Sequence, residues 1–384
     1  MTATASLSPA PPSAAPQLGG VTATESSICL LSAEDNRLAY RGYDVRELAG
    51  QGSYEETAFL LLAGRLPQRA ELKAFVAALR AHQKLPRSVL KLVAGAPAGS
   101  EPMPVLRTAV SALGLEPLPP ADGVPPGIHP AALALVAQLP TLVAAIYRIG
   151  RGEKPVTPRR SASYAGNFLY MVHGRELQDD VVAAFDEALI LRADNELNPS
   201  TFAARVAAAC RADLHGCVTA ALAALAGPQH GGHAAAVYQL LQEIGTPDRV
   251  QPVLDARIAD GKGVPGFGHP VYRAEDPRTA VMRRAAERAC TAAGTRDWFE
   301  LAQVVEERAR IGTGKYAMVD FYLAPLYRAA NIPPALFTPV FAVGRIAGWA
   351  AHIVEQYGLK GLIRPRAEYV GPRKQEYRSL RRRG

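Results

Sequence analysis

A chain of 384 residues, 48% of them hydrophobic, can bury one large core or two moderate ones, which excludes a linker, a tail or a low-complexity polymer. Its formal net charge of +8 invites nucleic acid, but Lys and Arg are spread along the chain, apart from Arg378, Arg381, Arg382 and Arg383. Only 7% of residues are aromatic and none sit among basic residues as a base-stacking surface, so the charge is read as suited to acidic small molecules and not to nucleic acid.

In chain order, residues 1–20 are rich in Ala, Pro, Ser and Thr and lack both the basic start and the apolar run of a secretory signal; a disordered leader is expected. Apolar residues recur at three- and four-residue spacing over 54–63, 70–82, 179–191, 201–225 and 234–244, which predicts helices there. Residues 123–147 contain no Asp, Glu, Lys or Arg, yet four prolines, His129 and Gln138 interrupt them, so a buried helix is expected in place of a membrane span. Asn198-Pro199 and Asp276-Pro277 each set a capping side chain ahead of a proline suited to a first helical position, and helices should begin near both. Pro/Gly clusters at 95–104, 116–130 and 261–270 separate helices without a fixed period, and alternating strand patterns are scarce; an all-α globule follows. Cys29, Cys210, Cys217 and Cys290 have no C-x-x-C spacing, which fits a reducing, cytoplasmic setting.

Against this background two histidines stand out, each framed by glycines: Gly227-Pro228-Gln229-His230-Gly231-Gly232 and Val264-Pro265-Gly266-Phe267-Gly268-His269-Pro270. Glycine on both sides lets the backbone approach a ligand closely and leaves the imidazole in a turn. About fifty residues on comes Val319-Asp320-Phe321-Tyr322. Taken singly, His230 reads as a helix cap, His269 as a turn residue and Asp320 as a helix N-cap. His230 and His233 form an H-x-x-H pair, but no carboxylate or cysteine stands nearby at ligand spacing, so no metal is expected. His82, His129, His173, His215 and His352 lack such framing and are read as structural.

In this order the three segments resemble the citrate synthase family, with its G-P-x-H-G, G-x-G-H and N-V-D segments. The likeness extends from Glu25-Ser26-Ser27-Ile28 to Arg364-Pro365-Arg366-Ala367-Glu368-Tyr369-Val370-Gly371, nearly the whole chain after its first twenty residues. It implies a large helical domain (21–227 and 321–384) with a smaller helical domain (228–320) inserted, a homodimer, and no cofactor beyond an acyl-CoA substrate. The implied reaction condenses acetyl-CoA with oxaloacetate. The resemblance assigns Asp320 as base, His230 as donor to the thioester oxygen and His269 as donor to the ketone oxygen. Arg278, Arg345 and Arg364 would grip the carboxylates of the 2-oxo acid, the last in the partner subunit's site. Val264, Gly266, Gly268, Arg273, Lys315 and Arg366 would meet CoA.

The sequence also departs from the family. Where L-H-A-D-H-E-x-N is usual, this chain reads Leu191-Arg192-Ala193-Asp194-Asn195-Glu196-Leu197-Asn198. Asn195, at a substrate-binding position, keeps hydrogen-bonding capacity but no charge, and Arg192 would restore that charge one helical turn earlier. Ala317-Met318 replaces the common Pro-Asn ahead of the base, and the added desolvation is expected to raise the pKa of Asp320. Pro270, after the second histidine, is closer to 2-methylcitrate synthases. Two alternatives follow: an alkylcitrate synthase using propionyl-CoA or longer acyl groups, and a non-catalytic CoA-binding paralogue.

Overall fold

The computed structural model describes residues 21–117, 123–269, 271–272 and 274–383. The expected leader at 1–20, Pro270 and the candidate CoA ligand Arg273 therefore lie outside the described residues. A small antiparallel sheet in the order β1-β2-β3 opens the fold, β1 (Cys29–Ser32), β2 (Arg37–Tyr40) and β3 (Tyr43–Asp44), and among the described residues every later named element is a helix. These short strands are too brief for alternation to announce them; Ile28 and β2 residues Leu38, Ala39 and Tyr40 anchor them in the core.

The first layer comprises α1 (Val45–Gln51), α2 (Tyr54–Ala63), α3 (Arg69–His82), α4 (Arg87–Ala94) and α5 (Pro102–Leu113). They surround α6 (Pro130–Gly150), α7 (Tyr164–His173) and α8 (Asp179–Leu191). Helix α2 starts where Ser53 and Glu56 form a reciprocal capping box. Helix α6 is the expected apolar helix; its N-cap is His129, whose ring accepts from the Ala131 amide.

The segment 201–225 is not one helix. It forms α9 (Pro199–Ala209) and α10 (Leu214–Leu225), broken where Arg211 takes a positive φ of 63° and Asp213 caps the second. The apolar period runs through the break, so neither glycine nor proline betrays it. Asn198 caps α9 with Pro199 at its first position, as its sequence implies. After α11 (Pro228–Gly231), α12 (His233–Ile244) and α13 (Val250–Ala259), helix α14 (Thr279–Ala293) begins two residues beyond Pro277. Asp276 there accepts from the Arg278 amide instead of capping a helix that starts at the proline.

Helices α15 (Arg296–Thr313), α16 (Val319–Ala329) and α17 (Phe337–Gly358) complete the chain's helical part. Helix α17 packs on α2, α6, α8, α9 and α10 and is buried along most of its length. Both α6 and the stretch ending in α17 are long and apolar enough to cross a membrane, but 83% and 89% of their apolar windows are buried inside the protein. A helix apolar all round belongs in a core, and its buried polar exceptions mark sites. On α17 these are Arg345, His352 and Gln356.

One buried carboxyl lies away from them. Asp186 on α8 accepts from the Tyr54 amide at 3.0 Å, and burial, with Glu55 adding to it, pushes its pKa up to about 8. Below the ordinary carboxylate range both folded and unfolded chains hold this proton. As pH rises the unfolded chain loses it first, so the associated stability declines from about pH 4 through the folded value. Asp186→Asn, which cannot ionise, should gain melting temperature over the parent near pH 8 and much less near pH 5. Equal shifts at both pH values would remove Asp186 as the cause.

Candidate active site

The site is built on the turn that follows α8. Tyr40 donates to the carbonyl of Asp194 at 3.0 Å, and Asp194 Oδ1 accepts from the Glu196 amide at 2.9 Å. Asp194 is buried with His352 at 3.3 Å; burial opposes its charge, but His352 and Arg345 hold its carboxyl below the usual range. The other ring nitrogen of His352 meets Arg205 Nη1 at 2.9 Å, and Arg205 also donates to Gln356 and Glu355. His352 is thus structural, as expected, and its network fixes the turn carrying Arg192 and Asn195. Asn195 is half-buried, and its Oδ1 is buried without a hydrogen-bond partner.

Asp320 lies in the first turn of α16, whose N-cap is Met318, so it is not the cap residue. Arg192 Nη1 donates to Asp320 Oδ1 at 2.6 Å across 128 residues of sequence. Burial works to raise the Asp320 pKa, but Arg192, with His233 and Arg278 behind it, brings it down to about 2. The expected upward shift is therefore overturned: desolvation is present, and a guanidinium in contact outweighs it.

His230, in the single turn of α11, directs Nε2 to Ser200 Oγ at 2.8 Å and sets its ring edge against Phe341. It caps no helix; Gly232 holds that position for α12. Ser200 Oγ also lies 2.7 Å from Asn198 Oδ1 and accepts from Trp349 Nε1. Its single hydroxyl hydrogen serves either Asn198 or His230, and in the second arrangement the neutral ring carries its hydrogen on Nδ1. Burial, then Arg345 and Arg192, lower the His230 pKa to about 4.

His269 Nδ1 accepts from the amides of Val271 and Tyr272 at 3.1 and 3.2 Å, which leaves the hydrogen of the neutral ring on Nε2. Burial and then Arg278 lower its pKa to about 4. The loop before it is stitched to the approach to α16: Gly268 donates to the Tyr316 carbonyl, Met318 donates to the Gly266 carbonyl, and Phe267 bridges Ala317. Gly266 and Gly268 have φ of 83° and 82°, and a Cβ on Gly266 would stand 2.7 Å from Val237 Cγ2. Val264 is buried, and exposed Lys315 packs its side chain over Gly268. A cavity of about 240 Å³ opens here between His269, Tyr272, Asp276, Lys315 and Met318.

Three guanidiniums approach these groups. Arg278 is buried and gripped at both ends by Asp276, Nε at 2.9 Å and Nη2 at 2.7 Å. Arg345 is buried and donates Nε to the Arg192 carbonyl at 2.7 Å, while its Nη1 has no partner. Burial, then the charges of Arg192 and Arg278, bring the Arg345 pKa down to about 10 in spite of Asp194. Arg192 and Arg345 both lie over the Phe341 ring, at 3.8 and 4.8 Å from its centre.

The structure thus sets Asp320 within range of the charges of His230, His269 and Arg278, and Arg345 within range of His230 and Arg278. It does not bring Arg364 or Arg366 there. Both are exposed on the segment after α17, and Arg364 lines a separate cavity with Phe202 and Lys360. Sequence reasoning missed Ser200, Phe341 and Trp349, which carry no local motif, and read Asp276 only as a helix cap and not as the partner of Arg278. Among the described residues no group of three His, Cys, Asp or Glu is placed to hold a metal ion.

The family profile described as "Citrate synthase, C-terminal domain" matches residues 17–366. The chain belongs to the citrate synthase family. Among citrate synthases it is 40% identical to Citrate synthase 2 of Bacillus subtilis over 94% of this chain and 96% of that protein. It is equally 40% identical to a 2-methylcitrate synthase of Mycobacterium tuberculosis, over 92% of this chain and 90% of that one. The fold matches citrate synthase from Thermoplasma acidophilum, solved as a ternary complex with carboxymethyl coenzyme A and oxaloacetate, with a TM-score of 0.86 at 30% identity, covering 95% and 98% of the two chains.

Proposed function

We propose that the protein condenses acetyl-CoA with oxaloacetate and hydrolyses the resulting thioester, releasing citrate and CoA. The observation that carries this reading is the convergence of one carboxylate, Asp320, with two histidines held neutral at pH 7, His230 and His269. A methyl group beside a thioester is a very weak acid, so its removal needs a base together with a donor already placed at the oxygen that gains charge. Asp320 takes the methyl proton while His230 donates to the thioester oxygen. His269 donates through Nε2 to the ketone oxygen and polarises the second carbonyl. Neutral rings suit both tasks, because each gives a hydrogen bond without surrendering its proton outright.

Arg345, with Nη1 unsatisfied in the core, and Arg278 face the carboxylates of oxaloacetate. Arg364 reaches a site only if a second subunit presents it, which is why a homodimer belongs to this reading. Val264, Gly266, Gly268 and Lys315 border CoA, joined by Arg366. Residues 228–320 act as the smaller domain, and the cytoplasm is the proposed location.

The test is release of free CoA thiol from oxaloacetate with acetyl-, propionyl- or butyryl-CoA in turn. Fastest release with acetyl-CoA is expected. Faster release with a longer chain would make the protein an alkylcitrate synthase, and release with none would remove the condensation reading.

A further inference from the structure

The carboxylate placed to act as base is already engaged. Arg192 Nη1 sits 2.6 Å from Asp320 Oδ1, and the arginine side chain is only 6% exposed. It is held in place by more than this pair: its guanidinium stacks on Phe341, its carbonyl accepts from Arg345, and the Asp194 turn beyond it is locked to His352 and Tyr40. Meanwhile its own Nε, Arg345 Nη1 and Asn195 Oδ1 are buried without partners. Buried donors without acceptors are costly, and two of them on neighbouring guanidiniums call for an anion.

We propose that Arg192 is a carboxylate receptor for the 2-oxo acid, and that it releases Asp320 when a substrate carboxylate takes its guanidinium. This rests on the proposed condensation. A planar guanidinium grips an incoming carboxylate through two parallel hydrogen bonds, and Arg345 Nη1 is a further donor on the adjoining side chain. Once Arg192 is neutralised by substrate, its field no longer suppresses the basicity of Asp320. The acyl-CoA methyl group is then deprotonated only when an acceptor ketone is present to consume the enolate. Arg192 is thereby more than a replacement for a family histidine, since it couples occupancy of one substrate site to the base that serves the other.

The experiment follows loss of deuterium from CD3-labelled acetyl-CoA into water, with and without malate as an unreactive dicarboxylate, in the parent, Arg192→Gln and Arg192→Lys. The parent should exchange slowly alone and about tenfold or more faster with malate. Arg192→Gln should lose that stimulation, and its KM for oxaloacetate should rise by about tenfold or more, the loss expected for a charge-assisted pair. Arg192→Lys keeps a charge beside Asp320 but lacks the fork, so it should retain the stimulation while KM rises. Thermal melting confirms that each variant is folded. Parental stimulation and parental KM in folded Arg192→Gln would overturn the proposal. If the parent releases no thiol from any acyl-CoA, the condensation reading fails separately, and calorimetric titration with malate decides. Affinity lower in Arg192→Gln supports the receptor, and equal affinity overturns it.

Discussion

Asp320→Asn should lower turnover by about a thousandfold and at the same time tighten binding of an unreactive dicarboxylate. The first effect is the usual loss when a general base is removed. The second comes from the ion pair. Asparagine fills the same space without charge, so Arg192, now 2.6 Å from a carboxylate oxygen, would face a neutral amide and present its full charge to an incoming carboxylate. A base with no ion pair would leave dicarboxylate affinity unchanged on substitution. Turnover by thiol release and malate affinity by calorimetry measure the two effects separately. Parental turnover in Asp320→Asn would refute the assignment of the base.

Gly348→Ala is expected to be the most damaging single methyl group in the molecule. A Cβ at this position of α17 would collide with the Ala193 carbonyl oxygen and with Asp194 Oδ2, both far inside van der Waals contact. Neither can yield cheaply, because the Asp194 turn is tied to Tyr40, His352 and, through His352, to buried Arg205. Overpacking a rigid core costs about 3 kcal/mol or more, enough to lower the melting temperature by several degrees in a chain of this size. Since the displaced turn carries Arg192 and Asn195, KM for oxaloacetate should rise even in the molecules that remain folded. A variant with parental melting and parental KM would show that α17 and the turn are less tightly joined than their packing indicates.

Much of the helical architecture could be read directly, because helix signals are local. The periods over 54–63 and 179–191 give α2 and α8 at those bounds, and the Asn198 cap places the start of α9. The break between α9 and α10 could not be read, since it depends on one left-handed residue, Arg211, inside an uninterrupted apolar pattern. His230, His269 and Asp320 were legible through their glycine frames and family motifs. Ser200 and Phe341, which position the first histidine and the two arginines, were not, because an ordinary serine at a helix start and a phenylalanine in an apolar helix look like cap and core.

By itself the sequence determined the all-helical class, the family and the identity of the groups available for chemistry, because each is encoded in short segments. Only the tertiary structure decided the state of those groups. Local sequence around Asp320 points to desolvation and a raised pKa; a charge brought from 128 residues away reverses the sign. The family resemblance marks Arg345 for a substrate carboxylate, but only the burial of α17 around it leaves its Nη1 without a partner. Electrostatic interaction depends on distance in space and on what excludes water, and neither is a property of neighbours along the chain.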